Sequence, residues 1–357
     1  MSLNDLRRDI DDIDARIVKL IGERLSTARK IGALKKRGQK QVQDSAREKQ
    51  VIEHIRQLAL KEGINPAEVE RLYELVMAAS KSVQGIEVAF QGQAGAYSQE
   101  AAFSFFGASV QTRPCETLDE VFKLVQDGSL PYGIVPVENS QEGSISRSYD
   151  LLLDSEVMVC GEAQIRVSHC LVANQDTTPG GIKRVYSHPQ ALAQCQAYLR
   201  RLGCELIPSY DTAGSARMIK DKQLMDSAAV ASARAARIYD MNILAREIED
   251  NPRNTTRFFV LGKQDSPPTG HDKTSIVFLL KHRPGTLHEA LGEFSGRGIN
   301  LTKIESRPTR QKPWEYNFYL DFEGHRGDAA IREALGRLED ISLFLKVLGS
   351  YPKAKPL

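Results

Sequence analysis

The sequence predicts a multidomain chain with three parts: an all-α helical domain, a two-lobed α/β domain, and an α+β domain of ferredoxin-like βαββαβ order. Three observations predict it. Apolar residues recur at three- and four-residue steps through the first 84 positions, the period of helices that bury one face. Short apolar strands then alternate with helical stretches from 86 to 261, the pattern of an α/β sheet. After a linker, the order β-α-β-β-α-β makes a split βαβ motif. The expected limits are 1–85, 86–263 and 274–351, and 357 residues accommodate two or three domains.

Bulk properties exclude several classes. A formal charge of +2 gives no global pull toward nucleic acid or membrane. The start, Met1-Ser2-Leu3-Asn4-Asp5, lacks the basic residues and apolar core of a signal peptide, and no run approaches about eighteen apolar residues. A cytoplasmic protein is expected. Cys115, Cys160, Cys170, Cys195 and Cys204 are scattered without CxxC spacing, so reduced thiols are expected rather than a zinc site or a disulfide frame.

In the first helix Ile10, Ile13, Ile17, Ile21, Ala28, Ile31 and Leu34 form an apolar ladder, and Arg24 and Lys35 fall on it. Eleven residues make about three turns, so these two cations share a face about 16 Å apart. They either hold an anion between them or snorkel to solvent along a wet edge. A second helix begins near Asp44 and runs Ser45-Ala46-Arg47-Glu48 into Val51, Ile55 and Leu58. A third starts at Asn65-Pro66, a cap followed by a first-turn proline, and carries Val69, Leu72, Val76, Ala79 and Val83, with Ser80 and Gln84 continuing its face. The three helices bring Arg24, Lys35, Asp44, Arg47, Glu48, Ser80 and Gln84 toward one place. Asp44 also fits a plain N-cap, and Ser45-x-x-Glu48 a capping box. Arg7 lies about 25 Å along its helix from Arg24. To serve the same anion it must come from a second copy of the chain, which predicts an antiparallel, interlocked dimer.

The run Leu6-Arg7, Glu23-Arg24, Ala33-Leu34-Lys35, Val42-Gln43-Asp44, Arg47-Glu48 and Ser80…Gln84 resembles the all-helical chorismate mutase family in order and spacing. The resemblance implies rearrangement of chorismate to prephenate. That reaction uses no nucleophile and no proton transfer; it needs the substrate held compact and charge stabilised as the ether C–O bond breaks. By resemblance, Arg24, Arg47 and the partner subunit's Arg7 would hold the two carboxylates. Lys35 and Gln84 would donate to the ether oxygen, Asp44 and Glu48 would handle the ring hydroxyl, and Ser80 would support a carboxylate.

The α/β region opens with a strand at 86–90, the turn Gly92-Gln93-Ala94-Gly95 and a helix through Phe106, a unit able to cradle an anion on backbone N–H groups. No GxGxxG occurs, so a dinucleotide is not expected. Helices follow over 118–125, 149–153, 190–202, 213–220 and 234–239. Strands are expected over 133–137, near Val157 and Leu171, and over 184–186, 204–207, 228–230 and 257–261. Two lobes with a cleft between them fit this length. Polar residues at strand ends mark the cleft: Glu138-Asn139-Ser140, Ser187-His188-Pro189-Gln190 and Thr255-Thr256-Arg257-Phe258. Taken singly, Ser187 also suits a helix cap, Asn139 a turn and Thr256 a strand.

Over 87–263 the motifs Gly92-x-x-Gly95-x-Tyr97-Ser98, Val135-Pro136-Val137-Glu138-Asn139-Ser140 with Gly143, Tyr186-Ser187-His188-Pro189-Gln190, and Thr256-Arg257-Phe258 are similar to prephenate dehydratases. That family removes the ring hydroxyl and ring carboxylate of prephenate as water and CO₂, giving phenylpyruvate. Aromatisation drives the step, so the enzyme must mainly assist departure of hydroxide. A threonine hydroxyl is too weak an acid to supply the proton unaided. The expectation is that Thr256 hydrogen-bonds the leaving hydroxyl, with Glu138, raised in pKa by burial, or a relayed proton behind it. Asn139, Ser187 and Gln194 would orient the substrate. His188, beside a proline in a strand-to-helix turn, reads as structural.

The stretch Lys263-Gln264-Asp265-Ser266-Pro267-Pro268-Thr269-Gly270 is a linker. Beyond it, strands over 275–280, 301–306, 316–322 and 343–348 and helices over 287–294 and 329–338 resemble an ACT regulatory domain. Pro284-Gly285-Thr286-Leu287-His288 and Glu305-Ser306-Arg307-Pro308 carry that resemblance, with Thr286 where alanine is common. It implies phenylalanine bound between two such domains as a feedback inhibitor, near Gly285, Thr286, Leu287, His288, Asn300, Leu301, Glu305, Ser306, Arg307 and Pro308. A dimerisation module without a ligand is the other reading. Together the resemblances imply a homodimer that makes prephenate in one domain and consumes it in the next, without cofactor or metal. The alternatives are a non-catalytic binder of small anions or amino acids, and arogenate as the dehydratase substrate. A dehydrogenase partner would need the absent nicotinamide fingerprint.

Overall fold

The computed structural model describes residues 3–37, 45–82, 85–108, 110–309 and 315–354. Contacts divide the chain into two compact units, Met1–Glu87 with Phe103–Gln111, and Val88–Ala102 with Thr112–Leu357. Among the described residues no helix is long and apolar enough to cross a membrane. All five cysteines are free thiols, and burial pushes Cys115 up to about 11 and Cys160 to about 12.

The first unit contains three helices, α1 (Leu3–Arg37), α2 (Ser45–Lys61) and α3 (Pro66–Ser82). The side chain of Asn65 accepts the Ala67 N–H at 3.0 Å, so the cap and first-turn proline start α3 where the sequence places it. Ala28, Ile55 and Ala59 are buried between the helices. At 35 residues α1 is about 50 Å long, twice the reach of the 17-residue α2 and α3. Two short helices cannot cover it. Of the apolar seam expected along its length, Ala28 is buried and Ile21 half-buried, while Ile10, Ile13 and Ile17 stay about half exposed (57%, 50% and 48%) and Ile31 is 44% exposed.

After the three helices the chain runs through β1 (Glu87–Gln91), α4 (Tyr97–Phe106), β2 (Gln111–Cys115), α5 (Leu118–Gln126), β3 (Tyr132–Asn139), β4 (Gly143–Ser144), α6 (Ser146–Asp154) and β5 (Met158–Arg166). The chain then crosses to a second sheet made of β6 (Cys170–Ala173), β7 (Arg184–Ser187), β8 (Glu205–Pro208), β9 (Ser227–Ala231) and β10 (Asn242–Ala245). Helices α7 (Pro189–Gln194), α8 (Gln196–Leu202), α9 (Thr212–Asp221) and α10 (Ala233–Ile238) connect those strands. It returns in β11 (Thr255–Gly262), which pairs antiparallel with both β3 and β5. The first sheet runs β2-β1-β3-β11-β5 with β4 on β3, and the second β10-β6-β9-β7-β8. Two crossovers thus join two lobes, and they touch: the Val167 N–H donates to the Asn254 carbonyl at 2.8 Å.

The single helix expected over 190–202 breaks at Cys195. The returning crossover claims it there: the Asp250 N–H donates to the Gln194 carbonyl at 2.7 Å, and the Asp250 carboxylate accepts the Ala197 N–H at 3.1 Å. Strands β2, β4 and β10 were not expected from sequence. Each is short or polar, and the sheet order puts β2 and β10 at edges, where Pro114 and exposed side chains are tolerated.

The C-terminal part carries β12 (Asp272–Leu280), α11 (Thr286–Ser295), β13 (Leu301–Pro308), β14 (Tyr316–Glu323), α12 (Ala329–Ile341) and β15 (Ser342–Pro352), with sheet order β13-β14-β12-β15. Strand alternation gives this sheet two apolar faces. Ile276, Phe278, Leu320 and Phe322 pack with α11 and α12. Val277, Tyr319, Leu348 and Tyr351 join Val135, Tyr149, Leu152, Val159 and Phe259 in the core of the first lobe. Gly349 permits that docking, because a Cβ there would lie 2.1 Å from the Val159 carbonyl oxygen.

Candidate active sites

In the helical unit Arg24 is half-buried and Ser80 buried, and the two meet. The Arg24 Nη1 donates to the Ser80 hydroxyl and to the Val76 carbonyl (3.3 Å), and the Ser80 hydroxyl donates to the same carbonyl at 2.7 Å. Ser80 thereby fixes the guanidinium on the α3 face. Arg7 is exposed on the far half of α1. Asp44 and Gln84 lie outside the described residues, as do the side chains of Lys35, Arg47 and Glu48.

Between the lobes lies a cavity of about 220 Å³. The first lobe contributes Gln91, Gly92, Tyr97, Ser98, Asn139, Thr256 and Phe258, and the second contributes His188, Gln190, Gln194, Tyr210, Asp211 and Thr212, with His169 from a crossover. A chain of hydrogen bonds runs along its floor. Asn139 Oδ1 accepts the backbone N–H groups of Gln141 (3.0 Å) and Glu142 (3.2 Å), which fixes the polarity of its amide. Its Nδ2 then donates to Asn254 Oδ1 at 2.8 Å and to Thr256 Oγ1 at 3.0 Å. Asn254 Nδ2 donates to Gln194 Oε1 at 2.9 Å, and His169 Nε2 reaches the same oxygen at 3.0 Å. The network therefore assigns the imidazole proton to Nε2. Two consequences matter for chemistry. The Thr256 oxygen is an acceptor toward Asn139, so its own hydrogen is left to donate elsewhere, and Thr256 lines the cavity. Gln194 has its carbonyl oxygen doubly engaged, leaving Nε2 as its donor. Burial holds His169 below its usual 6.5 and Tyr97 well above 10.

A second cavity, of about 290 Å³, sits in the C-terminal part against Lys281, His282, Arg283, Gly285, Thr286, Leu287, His288, Glu315, Tyr316 and Phe318. The Thr286 hydroxyl donates within its own turn, to the carbonyls of Lys281 and Arg283 (both 3.1 Å). The polar atom added at this position is thus satisfied locally.

The prephenate dehydratase family model matches residues 88–266, chorismate mutase type II matches 6–85, and the ACT domain matches 274–340. The bifunctional chorismate mutase/prephenate dehydratase of Stutzerimonas stutzeri is 39% identical over 99% of this chain and 98% of its own. The chain belongs to the bifunctional chorismate mutase/prephenate dehydratase family. It is accordingly an enzyme with a helical mutase domain, a two-lobed dehydratase domain and an ACT domain. The solved prephenate dehydratase from Arthrobacter aurescens in complex with L-Phe is 32% identical, with a TM-score of 0.70 over 76% of this chain and 92% of that one. A solved structure described as a novel type of quorum-quenching acylase is 33% identical, with a TM-score of 0.70 over 76% of this chain and 98% of that one.

Within the dehydratase domain the geometry gathers Asn139, Gln194 and Thr256 and corrects two other expectations. Ser187 is fully buried, and its hydroxyl donates to the Val230 carbonyl at 2.7 Å, tying β7 to β9 away from the cavity. Glu138 points off the opposite face of β3. Its carboxylate, a third exposed, pairs with Lys303 at 3.0 Å and lies 3.8 Å from Arg257, so it is neither a buried acid nor in the cavity. In the turn at Gly92 and Gly95, the Gly95 N–H is taken within the protein, while Gly92, Ala96, Tyr97 and Ser98 at the start of α4 line the cavity. The Gly95 N–H donates to Gln99 Oε1 at 2.8 Å, its carbonyl accepts the Ser232 hydroxyl at 2.7 Å, and a Cβ there would lie 2.7 Å from the Ala235 Cα. Gly95 is where the two lobes touch.

Sequence reasoning missed His169, Asn254 and Asp211, quoted Tyr97 in a motif without giving it a role, and set His188 aside, although all but Asn254 line the cavity. His169 lies just past β5 and Asn254 just before β11, so the strand-end rule that selected Asn139 applies to both. Asp211 caps α9 by accepting the Gly214 N–H, and burial raises its pKa. Burial lowers that of His188, against the pull of the Asp211 carboxylate.

In the ACT domain Gly285, Thr286, Leu287 and His288 line the cavity, whereas Asn300, Leu301, Glu305, Ser306, Arg307 and Pro308 do not. Leu301 packs against the core under the helices, and the Asn300 carbonyl accepts the Glu323 N–H. Glu305 accepts the Ser144 hydroxyl and Arg307 pairs with Asp150 at 3.1 Å, so these side chains face the dehydratase domain.

Proposed function

We propose that the chain makes prephenate from chorismate in its helical domain and converts prephenate to phenylpyruvate between the dehydratase lobes, under feedback by L-phenylalanine. One observation carries the dehydratase reading: the Asn139 amide donates to Thr256 Oγ1, which leaves the threonine hydrogen to donate elsewhere, and Thr256 lines the cavity. There it donates to the ring hydroxyl as the C–O bond breaks. The ring carboxylate leaves as CO₂, its C–C electron pair completes the aromatic ring, and one proton must reach the departing hydroxide to make water. Asp211 is the only carboxyl among the cavity-lining residues. Burial already raises its pKa, and the two substrate carboxylates brought beside it push the same way, toward a protonated acid. Gln194 orients the substrate through Nε2.

In the mutase domain Arg24, backed by Ser80, holds one carboxylate, and Arg47 and the partner subunit's Arg7 complete the grip. Lys35 and Gln84 donate to the ether oxygen, and Asp44 and Glu48 take the ring hydroxyl. Phenylalanine sits against Gly285, Thr286, Leu287 and His288, and the strand bearing Glu305, Ser306, Arg307 and Pro308, with Asn300 and Leu301, comes from the partner subunit's ACT domain. The fact that these two sets do not meet within one chain supports that arrangement. The working unit is a cytoplasmic homodimer with domain limits 1–85, 86–263 and 274–351. Neither step passes electrons to a carrier, so no cofactor is invoked.

The test is the purified full chain given chorismate, with prephenate and phenylpyruvate followed separately, with and without phenylalanine. Both products are expected in sequence, with the second step slowed by phenylalanine. A Thr256→Ala variant should lose dehydratase turnover by about 100-fold or more while keeping the mutase rate. Near-normal dehydratase turnover in that variant rejects the site, and a phenylalanine-insensitive second step rejects the effector.

A further inference from the structure

Strands β3 and β11 are antiparallel neighbours in which Thr256 faces Asn139 and Arg257 faces Glu138. The register skips Val137, so Pro136 and Asn139 both line the cavity with Thr256 and Phe258. Glu138 and Arg257 therefore project from the other face, onto the ACT sheet. Arg257 is buried there, with Nη1 2.5 Å from Asp321 Oδ2, Nη2 3.0 Å from the Tyr351 hydroxyl and Nε 2.7 Å from Glu162 Oε2. Glu138 pairs with Lys303 at 3.0 Å, and Lys303 also donates to the Ser144 hydroxyl at 2.6 Å. In the ACT sheet Lys303 and Asp321 are themselves cross-strand partners. Two cross-strand pairs thus meet face to face with complementary charge, Glu138 and Arg257 against Lys303 and Asp321.

We propose that Glu138 and Arg257 are positioning residues for Asn139 and Thr256, and that the ACT domain sets their position through Lys303 and Asp321. The two cavity groups and the two charged groups alternate on the same strands, so neither set can shift without the other. A buried arginine has few alternatives once its carboxylate moves, since Glu162 also serves Lys273 at 3.1 Å. Lys303 lies two residues before Glu305 on β13, the strand assigned above to the effector. A ligand that displaces this strand therefore moves the Thr256–Asn139 hydrogen bond. The regulatory half of this inference rests on the phenylalanine reading; the positioning half does not.

Glu138→Gln and Lys303→Met in the full chain test it, each measured for dehydratase kcat and KM, phenylalanine binding by calorimetry, and inhibition, with the mutase rate as a control for folding. We expect kcat to fall roughly tenfold with little change in KM for prephenate, in the range that coupled residues produce. Phenylalanine should bind as in the parent, yet inhibit at least tenfold more weakly. In the double variant Glu138→Gln with Lys303→Met the loss of inhibition should be no larger than in either single variant, because both remove the same contact; independent, additive losses would argue against the pair as the link. Parental kcat together with parental inhibition in Glu138→Gln overturns the proposal. If phenylalanine binds neither parent nor variant, the effector reading fails, and the kcat comparison alone decides the positioning role.

Discussion

Asn139 is held in one amide polarity, and the proposed dehydratase chemistry turns on it. Because its oxygen is held by two backbone N–H groups, its nitrogen must donate to Thr256, whose own hydrogen is left for another acceptor, in the proposed reaction the substrate. Thr256 and Asn139 were legible in the sequence as polar residues at strand ends. Which of Glu138 and Asn139 faces the cleft was not, since that depends on a one-residue register skip that alternation alone does not reveal. With Glu138 outside the cavity the proposed acid is Asp211, and that role can be separated from its cap. Asparagine caps a helix as well as aspartate, so Asp211→Asn should leave thermal stability close to the parent. It removes the proton, so dehydratase kcat should fall about 100-fold or more. Near-parental turnover across the pH range would exclude Asp211 as the donor.

At the scale of elements, periodicity located most helices and strands, because each buries a face whose spacing survives in the sequence. It failed where a distant segment intervenes. The break between α7 and α8 is written by Asp250, more than fifty residues away, and the edge strands β2 and β10 owe their pairing to neighbours rather than to propensity. A similar long-range debt ends α6. Lys346 on β15 donates from Nζ to the carbonyls of Leu152 (2.9 Å), Leu153 (2.9 Å) and Ser155 (2.5 Å), groups that a helix end leaves without internal partners. Burial lowers the Lys346 pKa, opposed by Glu156 and Asp154, so the ammonium depends on these carbonyls for solvation. Lys346→Met keeps the apolar stem and removes all three bonds. The expected cost is about 2 kcal/mol of stability, read as a lower Tm; an unchanged Tm would mean that water serves these carbonyls equally well.

At the scale of the whole molecule, the proposed dimer turns on the first half of α1. Half of α1 has no covering partner among the described residues, and Ile10, Ile13 and Ile17 lie on the same ladder as Arg24. In the proposed dimer a second α1 laid antiparallel would cover that ladder with its own, and the same overlap would carry Arg7 the roughly 25 Å to the partner's Arg24. The two consequences share one geometry, so they stand or fall together. Arg7→Ala and Arg24→Ala should each abolish mutase turnover while leaving dehydratase turnover intact. Mixed in equal amounts, dissociated and reassembled, half the dimers are hybrids, and in each hybrid one of the two sites receives both native arginines. Mutase activity should therefore return to about a quarter of the parental value. If both arginines instead act within one chain, every site in the mixture lacks one of them, and no activity returns.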